Sequence, residues 1–275
     1  MTEIEPSVSV EEGKVKRKRV ILLAIIGIVI VVGIIAAYFI LGELFKPPLP
    51  DPNELLSKNI NAHKEVKTYR YKIKMEVEAY GQSWTVEGEG KVNSEERRAY
   101  MLMKTAGEIS QEVYLISDML YYRIDGKWYK RRVVGVWEQT ELLPSLIKLL
   151  SKLKLKVIKV ERVRGVEAYV LEGLSEEELP EPVNLSVPPL TLGTGGKGIR
   201  IESLKIILWI DKQKYYTLRI EMSITTRFKS DTKVIKSDTE LTMDILDINV
   251  PMTIELPPEA ERAEPMPIVP PRVPS

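Results

Sequence analysis

Hydrophobic residues recur along this chain at three spacings, and each marks a different kind of structure. The first is a run with no polar break: residues 20–42 hold no charge and follow directly on the basic cluster Lys14, Lys16, Arg17, Lys18 and Arg19. A helix of that length crosses the roughly 30 Å hydrocarbon core of a bilayer with some tilt, and pairs all its backbone polar groups internally. A secretory leader has a shorter apolar stretch, about 7–15 residues, and ends in a small-residue cleavage site. Ala36-Ala37-Tyr38 followed by more apolar residues is a poor one. The run therefore predicts an uncleaved signal anchor in the plasma membrane. The basic residues before it hold the N-terminus in the cytoplasm and send the chain from residue 43 onward outside.

The second spacing is helical. After the proline-rich spacer at residues 43–52, Asp51 is placed to cap a helix with Pro52 at its first position and Glu54 in its first turn. Leu56, Ile60 and His63 then share one face, so residues 52–65 read as a short amphipathic helix. A second helix is expected over 140–150, where Leu142, Leu143, Leu146, Ile147 and Leu150 form a wide apolar stripe.

The third spacing is two, and it fills most of the remaining chain. Tyr69, Tyr71, Ile73, Met75 and Val77 alternate with Arg70, Lys72, Lys74, Glu76 and Glu78, which is a strand with one dry and one wet face. Trp84, Val86, Gly88, Gly90 and Val92 continue the pattern, the glycines marking a bend. Further strands are expected near 96–104, 108–117, 119–125 and 127–134. Asp125-Gly126 is the clearest hairpin turn among them. After the second helix come strands at 154–163 and 166–173, a long loop at 174–199, and three long strands at 201–211, 215–228 and 232–248. The tail, rich in proline from Leu256, is expected to be disordered. About eleven antiparallel strands with two helices make an α+β domain built on one sheet. So many twisted strands must curl into an open or half barrel, with the helices on its concave face.

The element order, and several local motifs, resemble the LolA-like carrier fold, which includes bacterial lipoprotein-sorting proteins and the mycobacterial LppX-type lipid carriers. The matching segments are the hairpin from Met119 to Lys130, with Tyr121, Asp125, Gly126 and Trp128, and the stretch Leu208-Trp209-Ile210-Asp211-Lys212 leading to Tyr216 and Ile220. Ile248-Asn249-Val250 and Leu256-Pro257 fit the family's ending. The resemblance covers residues 53–258 and implies a hollow between sheet and helices that takes a lipid or lipidated ligand. Members of that family are usually soluble or tethered through a lipidated cysteine, whereas this chain carries an apolar anchor and no cysteine at all.

Composition narrows the chemistry. Without cysteine there are no disulfides, thiolate nucleophiles or iron–sulfur clusters. Net charge is +1 and the basic residues beyond the anchor are interleaved with acidic ones, so no basic stripe for nucleic acid exists. His63 is the sole histidine, which leaves a catalytic triad or zinc site without a second imidazole, and a polar-face role is expected for it. Carboxylates alternating with Lys and Arg read as solvated cross-strand ion pairs. Gly193-Thr194-Gly195-Gly196-Lys197-Gly198 lacks the spacing of a phosphate loop. Asn and Gln together number ten against 79 charged residues, a thermophile-like bias. Asn184-Leu185-Ser186 matches a glycosylation acceptor.

No enzyme, cofactor or metal is expected from these residues. The expected partners are the bilayer, through residues 20–42, and a lipid or other apolar ligand. Met75, Trp84, Met101, Met103, Trp137, Leu143, Leu146, Ile147, Leu150 and Trp209 are the candidates to line its hollow, because Met and Trp adapt to irregular apolar shapes. The alternative is that these residues fill a solid core, and that the domain binds an envelope or signalling protein.

Overall fold

The computed structural model describes residues 31–32, 48–105, 108–133, 137, 149–175, 184–187, 190–193, 199–229 and 234–266. The chain divides into two units, Met1–Leu49 and Pro50–Ser275. Val31 and Val32 in the first are helical. The rest of the expected span at 20–42 lies outside the described residues. Among those described, no helix is long and apolar enough to cross a membrane.

The second unit opens with helix α1 (Pro52–His63). Asp51 caps it as its sequence predicts, accepting from the backbone N–H of Asn53 and Glu54 at 2.9 and 3.0 Å. Six strands follow: β1 (Thr68–Ala79), β2 (Gln82–Asn93), β3 (Arg98–Thr105), β4 (Glu108–Ile116), β5 (Met119–Ile124) and β6 (Lys127–Arg132). Then come β7 (Lys154–Val163), β8 (Val166–Leu174), β9 (Asn184–Val187) and β10 (Leu190–Gly193). The three long strands are β11 (Ile199–Asp211), β12 (Thr217–Lys229) and β13 (Val234–Leu246), and a short helix α2 (Pro258–Glu261) precedes β14 (Glu264–Pro265).

Twelve strands form one sheet in the order β14-β6-β5-β4-β3-β2-β1-β13-β12-β11-β8-β7, curved but not closed, with β9 and β10 as a separate hairpin. All pairings in the sheet are antiparallel except the two-residue contact of β14 with β6. Long-range register joins the two halves. Ile73 on β1 opposes Met243 on β13 and Gly88 on β2, so the first meander and the last three strands share one surface.

Alternation decides which face of that surface is dry. Tyr69, Tyr71 and Ile73 are buried while Arg70, Lys72 and Lys74 are exposed. Ile220, Met222 and Ile224 on β12, and Leu241, Met243 and Ile245 on β13, join them in one apolar cluster. Leu55 and Leu56 of α1 pack on the same cluster, as do Trp137, Leu149, Leu150 and Leu153. This is the covered face. The other face carries cross-strand ion pairs such as Arg219 with Asp244, whose backbones are in register, at 2.9 Å. A small second cluster of Val163, Ala168, Val170 and Trp209 lies apart from the main one.

Two expectations are corrected. The stretch 174–199 is not one loop, because Asn184–Val187 and Leu190–Gly193 pair as the hairpin β9–β10. The tail is ordered over residues 256–266, and residues 267–275 lie outside the described residues. Ile254, Ala260 and Ala263 are buried, and Met266 N–H donates to the Lys130 carbonyl at 3.0 Å beside the β14 contact. Arg98 and Asn93 hold the carbonyls of Ile254 and Met252 at 2.7 and 3.3 Å. Proline-rich chain has little conformational entropy to lose, so a strap tied by a few carbonyls is stable without helix or ladder of its own. Of the helix expected at 140–150, only Leu149 and Leu150 are described. They are helical and close on Lys152 and Leu153 with turn hydrogen bonds of 3.0 Å.

The glycines of β2 are sites of close approach. A Cβ on Gly90 would lie 2.2 Å from Tyr71 Cζ, because the Tyr71 ring lies across that backbone and is itself 2% exposed. Gly90→Ala therefore forces the ring out of a filled layer. A loss of about 1–3 kcal/mol is expected in denaturant unfolding, partly restored when Tyr71 is shortened to Leu in the same chain.

Candidate apolar ligand face

The covered face is a set of rows running across the strands. One row reads Met103, Gly88, Ile73, Met243 and Ile220, and a second Met101, Gly90, Tyr71 and Ile245. A third reads Val86, Met75, Leu241, Met222 and Ile206. Five of the nine methionines thus stand on neighbouring strands of one face, which gives the wall long, unbranched side chains free to re-pack. Met101 and Met243 are 1% exposed, and Met75 is half-buried.

The sequence candidates divide on this map. Met75, Met101, Met103, Trp137 and Leu150 belong to the covered face or its packing. Leu150 reaches so close to β8 that a Cβ on Gly173 would meet its Cδ2 at 2.8 Å. Leu143, Leu146 and Ile147 lie outside the described residues. Trp84 shares the parity of the covered face, opposing Val77, but stands near the far end of β2 and is 41% exposed. Trp209 is a correction. It sits between Leu208 and Ile210, which occupy the main cluster, so alternation turns it to the opposite side. There Arg219 lies over its ring at 5.9 Å and its Nε1–H donates to Glu161 at 3.4 Å. Met222 and Met243 were missed as candidates, although the alternation of β12 already placed Met222 with Ile220 and Ile224. For Met243 the missing information was its register with Ile73. Asn184 lies in β9, paired with Gly193, and its side chain is outside the description.

The rim where α1 meets the sheet is polar and tightly bonded. Asn59, fully buried, donates Nδ2–H to the Tyr215 carbonyl at 2.7 Å and to Thr217 Oγ1 at 3.1 Å. His63 Nε2 accepts the Thr217 backbone N–H at 3.1 Å and lies 2.9 Å from Thr217 Oγ1. The sole histidine is thus a structural partner of β12 and not a free polar-face residue. Burial pushes its pKa down to about 4. No group of three or more potential metal ligands occurs among the described residues.

No protein-family model matches the chain, and no curated protein matches it either. Solved structures do match. The lipoprotein LppX of Mycobacterium tuberculosis is similar at 11% identity and a TM-score of 0.47, the match covering 74% of this chain and all of that one. LprF of Mycobacterium bovis matches at 14% identity and a TM-score of 0.45, over 77% of this chain and 99% of that one. A LolA superfamily protein of Nitrosomonas europaea matches at 9% and 0.31, over 74% of this chain and 96% of that one. These are the two groups that the sequence resembles. Identities this low carry no residue or ligand across, so function is argued from this chain's own side chains.

His63 sets a pH dependence. Its folded pKa lies below its ordinary 6.5, so the stability it confers is complete above that value and is lost as pH falls towards 4. Unfolding free energy should drop by at most about 3 kcal/mol across this window and level off below it. In His63→Gln, which cannot titrate, the part of the acid slope between pH 6.5 and 4 should vanish, as measured by denaturant melts at stepped pH.

Proposed function

We propose that the chain is a membrane-anchored binding protein whose extracytoplasmic domain holds a lipid or other apolar molecule against the covered face, without catalysis. The carrying observation is the methionine-bearing wall: Met75, Met101, Met103, Met222 and Met243 on adjacent strands, with Gly88 and Gly90 among them. A core built for rigidity favours branched side chains of defined rotamer, whereas unbranched thioethers suit an occupant of irregular shape. Residues 20–42 serve in this reading as a single-pass anchor with the N-terminus inside, which keeps the domain at the surface of one membrane.

The second reading is a fully packed module that binds an envelope or signalling protein, and the near-complete burial of Met101 and Met243 favours it. Met103→Trp separates the two. A wall facing a ligand accommodates the added ring, so the melting temperature should hold while displacement of a fluorescent fatty-acid probe falls at least several-fold. A solid core should instead lose about 1–3 kcal/mol through overpacking.

Topology is tested on intact cells or spheroplasts. Added protease should remove the domain and leave a fragment that includes residues 1–42. Full protection of the domain would overturn the orientation.

A further inference from the structure

We propose that the contact between His63 and Thr217 is an acid-released latch that holds α1 on the covered face. It deepens the carrier reading, on which it rests only for its consequence, the release of ligand.

Thr217 opens β12 after an irregular corner. The register of β11 with β12 slips between Trp209 and Ile210, and Tyr215 has a φ of 59°. The Thr217 backbone N–H points to the helix and donates to His63 Nε2. A ring nitrogen that accepts from a backbone N–H carries its lone pair there, so the neutral ring holds its proton on Nδ1. Nδ1 is buried and has no hydrogen-bond partner among the described residues. The Thr217 hydroxyl accepts from Asn59 Nδ2–H and is placed to donate to the same Nε2. Two of the bonds that tie this turn of α1 to the sheet therefore share one titratable atom.

Protonation of Nε2 breaks that arrangement. The hydroxyl can turn, accepting from the new N–H and donating to Asn59 Oδ1, 3.4 Å away. The backbone N–H cannot turn, and two donors then face each other at 3.1 Å in a desolvated corner. Among the described residues no charged group is placed to stabilise the imidazolium. On α1, Lys58 is paired with Glu54 at 2.7 Å and lies over the Tyr215 ring, and Lys64 is bonded to Asn61. On the corner, the Tyr216 ring is 6.3 Å from the imidazole, and Asp211 accepts the N–H groups of Gln213 and Lys214. Beyond β13, Asp247 is engaged by Arg70. Among the described residues no carboxylate lies within ion-pair distance of His63. Burial of the ring holds its pKa below the ordinary value.

The test uses the full-length protein in nanodiscs. Because the chain has no cysteine, Ser57→Cys on the exposed side of α1 and Ser223→Cys on an exposed position of β12 place two unique spin labels. Double electron–electron resonance should give one narrow distance at pH 7 and a broadened, longer distribution at pH 3.5. The open-to-closed ratio should rise about 10²-fold over the window set by one proton. His63→Gln should keep the narrow distance at both pH values. An unchanged wild-type distribution at pH 3.5 would overturn the latch. So would equal broadening in His63→Gln, or broadening that coincides with loss of the strand signal in circular dichroism. Native mass spectra of the protein released from the same nanodiscs, scored for a bound lipid that the disc bilayer does not contain, separate the two claims. Loss of bound lipid at pH 3.5 in the wild type alone supports both. A released helix with no lipid at either pH supports the latch and overturns the carrier reading.

Discussion

Water must be kept from one face of a very wide sheet, and most of this structure follows from that requirement. Nine of its twelve strands present a continuous apolar layer, from Leu115 on β4 to Val157 on β7. Among the described residues its cover is α1 together with Trp137, Leu149, Leu150 and Leu153. Every apolar side chain kept from water contributes about 1.5–3 kcal/mol, so the pressure to cover this face is large. The chain answers with large side chains laid over glycines, as with Tyr71 across Gly90, and with a polar clamp that fixes the helix in place.

That clamp illustrates how polar groups are used where burial is unavoidable. Asn59 and Thr217 are both wholly buried; Asn59 bonds Thr217 and the corner carbonyl of Tyr215, and Thr217 bonds Asn59 and His63 Nε2. Such a network fixes one docking geometry for α1, since any slide along the strands would leave buried donors unpaired. The opposite face behaves differently. Arg164, rising from the β7–β8 turn, reaches the carbonyls of Leu218 and Ile245 at 2.9 and 2.7 Å as well as Asp244. Here charge ties strands together at the surface and covers the small cluster around Trp209.

Much of this was legible in the sequence, because a period of two is hard to mistake. The alternation at Tyr69–Val77 and at Ile220–Ile224 placed the correct residues on the dry face, and Asp125-Gly126 marked its hairpin, whereas Leu218, beside the register slip of β11 with β12, packs on the second cluster. What alternation cannot supply is register, and so the union of Met243 with Ile73 and of Trp84 with Val77 was out of reach. Trp209 was misplaced by residue type when its own neighbours, Leu208 and Ile210, already fixed its direction. The tail was misread because proline content describes what a segment cannot form by itself, and says nothing of a strap held by Arg98 and Asn93. The clamp at His63 was hidden for the same reason as the register: its partner lies more than 150 residues away.

The central claim is that the covered face takes an apolar molecule, and native mass spectrometry of the full-length protein, purified from its own host and released gently from nanodiscs, tests it most directly. The account predicts a discrete adduct of lipid mass at one copy per chain, lost when Met103 is replaced by Trp. A bare protein mass in every preparation, with the fold intact, would contradict it.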